Sequence, residues 1–326
     1  MEKLKNVWMM SLAVMLLAGC TSDGLPEQTL NEESKNSEAS TTSTVVRRAN
    51  KDASVLRGSF ANGGGEGWNE GDSVCTYTLQ SMQHNSYLLS QGAGSANATF
   101  TRTAGSNNYE NDDMLYALTS IKYLYGFGAT VDGNAQVSVT IPNRFKLSDV
   151  GAPEGSSRMP IPYWGVATFG EDGKLEASFQ GLTALLKIDL ATLPADTRAV
   201  VLTTHSYGEF GDGTELEEGD EETLSGTLDA ILQEGAKLES NPIFYAYDTL
   251  RVNLNTDDWT QYRHIYVPVV AASYTNLHVI AVTGDYRFAY AWDGQLLKTF
   301  KSNTPFQPNT IVALEPQSTA IITPRM

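Results

Sequence analysis

Residues 163–190 read YWGVATFGEDGKLEASFQGLTALLKIDL, and short apolar runs divide the stretch: Tyr163 to Phe169, Leu175 to Phe179 and Leu182 to Leu190. The runs have strand length, carry aromatic and β-branched or alternating apolar side chains, and are bounded by glycine. Asp172-Gly173 stands between the first two. That residue pair favours a tight hairpin turn, because glycine accepts the positive φ the turn demands. The stretch therefore predicts an antiparallel hairpin followed by a further strand.

Working outward, the same pattern recurs upstream at Val74 to Leu79, Tyr87 to Leu89, Ala98 to Thr103, Met114 to Ile121 and Gln136 to Ile141. Downstream it recurs at Ala199 to Thr204, His264 to Val270, Leu277 to Val282, Arg287 to Trp292 and Thr310 to Leu314. Asp132-Gly133 and Asp293-Gly294 are further hairpin signals. The helix candidate of note is Leu228 to Leu238, weakened by Gly235, and Gly151 to Pro162 reads as a loop. About a dozen strands divide more readily into two antiparallel sandwiches than into one. The sequence thus predicts an all-β chain of two tandem β-sandwiches, residues 51–172 and 173–326, with the boundary near residue 173 to within about ten residues.

Composition bounds the function. The chain has 326 residues and a formal net charge of -16, from 22 Lys and Arg against 38 Asp and Glu. Nucleic-acid affinity rests largely on cations that displace counterions, so no nucleic-acid partner is expected. Two cysteines exclude a disulfide scaffold. No apolar run after residue 20 approaches the length that crosses a bilayer.

The first residues have a separate task. Lys3 and Lys5 form a positive leader, and Val7 to Leu17 is an apolar run of signal-peptide length. Leu17-Ala18-Gly19-Cys20 then resembles a bacterial lipobox, which implies a signal peptide over residues 1–19 and acylation of Cys20. Two or more acyl chains anchor a protein stably where one holds it marginally. The expected destination is the outer membrane and the cell surface. Residues 20–50, rich in Ser, Thr, Glu and Asn, bury too little apolar surface to offset chain entropy, and read as a flexible tether. It ends in Val45-Val46-Arg47-Arg48, where Arg47 and Arg48 are an accessible step for an arginine-specific protease.

The order of the segments resembles a family. Trp68-x-x-Gly71-Asp72-x-Val74-x-x-Tyr77 is followed by Leu115-Tyr116-Ala117-Leu118, Val137-x-Val139-x-Ile141-Pro142 and Pro162-Tyr163-Trp164-Gly165-Val166-Ala167. Then come Phe179-x-x-Leu182-x-x-Leu185-Leu186-Lys187, Tyr266-Val267-Pro268-Val269, Ser273-Tyr274-Thr275-Asn276-Leu277-x-Val279 and Phe306-x-x-Asn309-x-Ile311-x-x-Leu314. Taken in order, these resemble the fimbrillin-like proteins, lipoproteins of Gram-negative anaerobes. The resemblance implies two transthyretin-like sandwiches and a role as shaft, anchor or tip of a type V pilus. It also implies partners among other pilus subunits, assembly by strand donation after removal of the N-terminal segment, and a host or bacterial surface ligand.

The residues permit such a donor. Asn309 to Thr323 reads NTIVALEPQSTAIIT, with Ile311, Val312 and Leu314 in one apolar patch and Ile321 and Ile322 in another, on either side of Pro316. An extended segment adding to an open sheet edge satisfies its backbone groups and fills apolar pockets. At about 3.3 Å per residue the segment spans roughly 50 Å. The alternative is that the tail finishes the second sandwich of its own chain.

Catalytic chemistry is not legible. Gly71-Asp72-Ser73-Val74 is superficially similar to a hydrolase nucleophile block, but no downstream Asp-x-x-His base follows, and a serine without a base is a poor nucleophile. His84, His205, His264 and His278 are scattered and make no metal-ligand spacing, so neither metal nor cofactor is expected. Cys75 reads as a buried thiol. The acidic run Glu209 to Glu222 has oxygen ligands for calcium but not the spacing of an EF-hand, and reads as a solvated excursion. Trp164, Trp259 and Trp292 are candidates for stacking on sugars, or for packing. Two readings follow: a non-enzymatic pilus subunit, and a surface-tethered glycan-binding lipoprotein of a nutrient-uptake system.

Overall fold

The computed structural model describes residues 51–61, 67–79, 84–105, 109, 114–119, 123–158, 160–204, 208–210, 223–240, 246–254, 259, 261–283, 294–301, 306–316 and 321–324. In chain order the elements are β1 Asp52–Phe60, β2 Ser73–Thr78, β3 His84–Gln91, β4 Asn97–Ala104, β5 Leu115–Thr119, β6 Leu124–Ala129, β7 Ala135–Ile141 and β8 Arg144–Lys146. A single-turn helix α1, Leu147–Val150, leads to β9 Gly151–Ala152, β10 Tyr163–Phe169, β11 Lys174–Gly181, β12 Ala184–Asp189, β13 Ala199–Thr203, β14 Gly208–Phe210 and β15 Ser225–Ile231. The rest are β16 Glu239–Ser240, β17 Ala246–Tyr247, β18 Thr249–Asn253, β19 His264–Val269, β20 Asn276–Val282, β21 Gly294–Lys301, β22 Ile311–Ala313 and β23 Ile321–Pro324.

The opening stretch folds as its sequence dictates. β10 and β11 pair antiparallel from Phe169↔Leu175 to Tyr163↔Gly181, joined by a turn in which Gly173 takes φ 81°. Together with β5, β2, β3, β4 and β1 they close a barrel in the order β1-β11-β10-β5-β2-β3-β4, its one parallel seam lying between β1 and β11. Burial reports which walls face water. In β4 only Ala98 and Phe100 are buried, the alternation of a strand with a single wet face. β5 is buried at every residue because Leu115 and Ala117 enter the barrel while Tyr116 and Leu118 face a second core outside it.

Aromatic rings fill the barrel. Trp68, fully buried, stacks on Phe60 at 4.3 Å between ring centres and meets Phe100 and Phe179 edge-on at 4.9 and 5.3 Å. Gly58 is part of this arrangement: a Cβ there would lie 3.0 Å from both the Phe100 and Phe179 rings. At the barrel rim, Arg57 reaches Asp172 at 2.6 Å and Glu176 at 3.1 Å, exposed pairs that add little to stability.

Around the barrel lie three sheets. β16, β15, β7 and β6 form one, with β17 also on β15; another runs β22-β12-β19-β9; the largest runs β14-β23-β21-β20-β13-β18-β8. In β7, Ala135, Val137, Val139 and Ile141 point into the core shared with Tyr77, Tyr116 and Leu118 of the barrel wall. The four-stranded sheet is apolar on both faces, Leu185 and Tyr266 joining the barrel-side cluster while Leu186, Ile188, Ile265 and Val267 join the larger core.

The all-β class stands, but the sheets do not follow one another as two consecutive sandwiches. The first part of the chain closes as a barrel, in which β1 and β10 both pair across residue 173 with β11, and three further pairs cross there. β7 pairs with β15, β8 with β18 and β9 with β19. The physical reason is that β7 has an apolar face which the barrel cannot cover from inside, and β15 extends that sheet. The helix expected over Leu228 to Leu238 is also corrected. Residues 225–231 are β15, in which Leu228 and Ala230 are buried at a period of two, and Leu232 continues the series. Its other face is tied to β7 by polar bonds: Ser138 Oγ donates to Asp229 Oδ1 at 2.6 Å, Gln136 Nε2 to Asp229 Oδ2 at 3.0 Å, and Thr140 and Thr227 hydroxyls meet at 3.0 Å. Within the expected loop from Gly151, β9 forms a short edge strand. Arg287 to Trp292 lies outside the described residues.

Candidate functional site

The site singled out by the sequence is the C-terminal segment, and its seat begins with an aromatic anchor. Phe306, buried, meets Phe300 and Tyr274 edge-on at 5.0 and 5.9 Å between ring centres. The chain then turns at Asn309 and enters β22, which lies parallel to β12 with Leu185↔Ile311, Leu186↔Val312 and Lys187↔Ala313 in register. The flanking bonds are Leu185 N–H to the Thr310 carbonyl and Leu314 N–H to the Lys187 carbonyl, both 2.8 Å. Ile311 and Val312 are half-buried and Ala313 is exposed, whereas Leu314 is buried in the larger core.

Glu315 and Pro316 are exposed, and residues 317–320 lie outside the described set. β23 follows in a different sheet, pairing with β21 at Ile321↔Gln295 and Ile322↔Gly294, and with β14 from Phe210↔Ile322 to Gly208↔Pro324. The structure therefore brings Ile311, Val312 and Leu314 together along β12 and puts Ile321 and Ile322 in the seven-stranded sheet. In the single chain both halves of the tail are paired with strands of the same molecule.

Other residues named from the sequence fall in varied places. Cys20, Arg47, Arg48, His205, Trp292 and residues 211–222 of the acidic run lie outside the described residues, so the calcium question lies there too. Cys75 is a buried thiol outside any disulfide, with Sγ 3.4 Å from Ser86 Oγ. His84 is exposed with its ring 6.1 Å from Tyr77. His278 is buried with Nδ1 3.0 Å from Thr299 Oγ1. His264 is half-buried beside Tyr266. Among the described residues no group of three or more His, Cys, Asp or Glu side chains is arranged to hold a metal ion.

Gly71-Asp72-Ser73-Val74 forms the turn into β2. Gly71 takes φ 84°, Asp72 Oδ2 accepts from Asn69 N–H at 2.7 Å, and Ser73 pairs with Leu88 in the sheet. Burial raises the Asp72 pKa, opposed by the Asn69 N–H and by the charge of Arg158. Trp164 belongs to the larger core and is buried, and Trp259 is half-buried against it, so both serve packing.

Clefts open on the described surface. A cleft of about 710 Å³ on the outer barrel wall is lined by Arg57, Gln91, Thr99, Val166, Thr168 and Glu176. The guanidinium of Arg57 is held above its ordinary pKa by hydrogen bonds from it to Asp172 and Glu176, so its charge is already committed. A smaller one of about 180 Å³ is lined by Trp68, Asn69, Ser157, Lys187 and His264. In the smaller cleft Ser157 Oγ donates to the Gly67 carbonyl at 2.6 Å, and Ser156 Oγ to the Pro153 carbonyl at 3.0 Å. The place of Asn309 is not legible in the sequence, where it is one position of a motif; its bonds to distant strands are visible only in three dimensions. The cue in the sequence is Pro308-Asn309, a turn pair ahead of an apolar run.

No family model matches the chain, and no curated protein matches it significantly. Among solved structures it is similar to one described as a putative cell adhesion protein from Bacteroides ovatus, at 10% identity and TM-score 0.40, over 85% of this chain and 96% of that one. A protein of the same description from Bacteroides uniformis aligns at 15% identity and TM-score 0.35, over 82% and 88% of the two chains. The tip fimbrial protein Mfa3 from Porphyromonas gingivalis, with a C-terminal truncation, aligns at 10% identity and TM-score 0.26, over 83% and 99%.

Proposed function

We propose that this protein is a non-catalytic structural or adhesive subunit of a cell-surface pilus. It is exported as a lipoprotein, held in the outer membrane through lipid on Cys20, cut after Arg47 or Arg48, and joined to other pilus subunits by donation of the segment 309–323. The observation that carries the reading is how the tail is attached. β22 adds to the margin of its sheet by a three-residue ladder, and β23, between β14 and β21, is held by three residue pairs on one side and two on the other. A short edge ladder such as that of β22, with Ile311 and Val312 half-buried, opens at lower cost than a long interior strand. A segment so held can leave its own chain and pair with an acceptor edge on another. The order of motifs from Trp68 to Leu314 supports the same assignment.

One experiment tests the reading as a whole. The wild-type chain and a form lacking Gln317–Met326 are recovered from the cell surface, their N-termini sequenced, and their polymers sized. The expected result is lipid-modified Cys20 in the precursor, a terminus near Ala49 in the polymerised form, and a folded but non-polymerising deletion. A terminus at Cys20 throughout favours the glycan-binding lipoprotein. Unimpaired polymers, or an unfolded deletion, would refute donation.

A further inference from the structure

Asn309 is the single non-glycine residue with positive φ among those described, at φ 62°. Its side chain is occupied at both ends. Nδ2 donates to the carbonyl of Ala61 at 2.8 Å, and Oδ1 accepts from the N–H of Gly181 at 2.7 Å. Its own N–H donates to the Thr183 carbonyl at 3.0 Å, and the N–H of Ala61 donates to the Phe179 carbonyl at 2.7 Å. The residue therefore stands where the end of β1, the end of β11 and the approach to β12 converge, two positions before β22 begins.

Few side chains fit this place. The left-handed conformation favours Gly, Asn and Asp, and of these only Asn offers a donor and an acceptor on a short side chain. Gly fits the backbone and supplies neither bond. Asp supplies the acceptor for Gly181 but sets an oxygen against the Ala61 carbonyl.

We propose that Asn309 is a positioning residue that couples β1 to the C-terminal tail, holding β22 on β12 only while Ala61, the residue that follows β1, is seated. When the end of β1 leaves its place, the amide of Asn309 loses a partner and its left-handed backbone loses part of what stabilises it. The root of β22 then loosens. A change at the N-terminal strand is thereby transmitted to the C-terminal tail through one side chain. The use of this coupling in assembly rests on the donor-strand reading above, but the coupling is a property of the single chain.

Hydrogen exchange on the intact chain tests it, read at the N–H of Leu314 and of Leu185, with β20 as internal reference. Asn309→Gly removes both side-chain bonds and keeps the backbone conformation. Asn309→Asp keeps the acceptor and removes the donor to Ala61. Ala61→Pro removes the bond that seats Ala61 on Phe179 without entering β1. Each single variant should exchange about tenfold faster at Leu314 and Leu185. Asn309→Gly combined with Ala61→Pro should be no faster than either alone, because both cut the same link. Unchanged exchange in Asn309→Gly or Asn309→Asp, effects that multiply in the double variant, or equal acceleration in β20 would overturn the proposal. Polymer formation is not read, so the coupling and the donor-strand reading fail separately.

Discussion

Asp72 illustrates how a single residue can resemble chemistry and serve geometry. In sequence, Gly71-Asp72-Ser73-Val74 is compatible with a nucleophile block or with a turn; the fold makes it a turn, with Asp72 Oδ2 closing on Asn69 N–H and Asp72 N–H on the Asn69 carbonyl. The cost of that placement is a partly desolvated carboxylate whose pKa is raised. A folded pKa above the unfolded one means that the folded state binds the proton more tightly, so this group's contribution to stability falls as pH rises between the two values. Asp72→Asn keeps the acceptor and removes the charge. The variant is expected to melt at or above the wild type near neutral pH, with its advantage shrinking as pH is lowered through the Asp72 titration. Melting temperatures of both proteins across that range check this, and a wild type that gains on the variant with rising pH would contradict it.

At the scale of elements, legibility followed how cleanly burial alternates. β7 reads AQVSVTI with every second residue buried, and its hairpin with β6 carries Asp132-Gly133, so both signals agreed. β1 escaped the reading because its register slips between Asp52 and Leu56, and because Gly58 stands where a large side chain would strike the Phe100 and Phe179 rings. β6 was missed because Gly126 and Gly128 interrupt its apolar pattern. β15 was misread because the spacing of Leu228 and Leu232 suits either period, and the partner that decides the matter, β7, is far away in sequence. The tail was legible as two apolar patches but not as two sheet partners. Its burial yields a graded expectation. Leu314→Ala, in a buried site, should cost about 2–4 kcal/mol in denaturant unfolding, and Ile311→Ala, half-exposed, about 1 kcal/mol. Equal losses at both positions would show that β22 is seated more deeply than its burial indicates.

At the scale of the whole molecule, the connections determine what can fold alone. Described residues of the barrel and of the surrounding sheets fall within one compact unit, Arg47–Met326. A fragment ending at residue 172 lacks β11, which in the intact chain closes the barrel between β10 and β1. It also leaves β7, β8 and β9 without β15, β18 and β19. Val137, Val139 and Ile141 would then present to water a face that is buried in the intact chain. Such exposure of an apolar strand face, together with unpaired edges, favours aggregation over folding. A cut near residue 173 is therefore expected to give two insoluble or unstructured pieces. The chain from residue 51 to 326 is expected to unfold in a single cooperative transition, seen at the same denaturant concentration by tryptophan fluorescence and by far-ultraviolet circular dichroism. The two probes sample different parts of the structure, since Trp68 lies in the barrel and Trp164 and Trp259 in the larger core, while the circular dichroism sums all the sheets. Separated midpoints, or a soluble folded fragment 51–172, would mean that the strand pairs crossing residue 173 do not bind the halves into one cooperative unit.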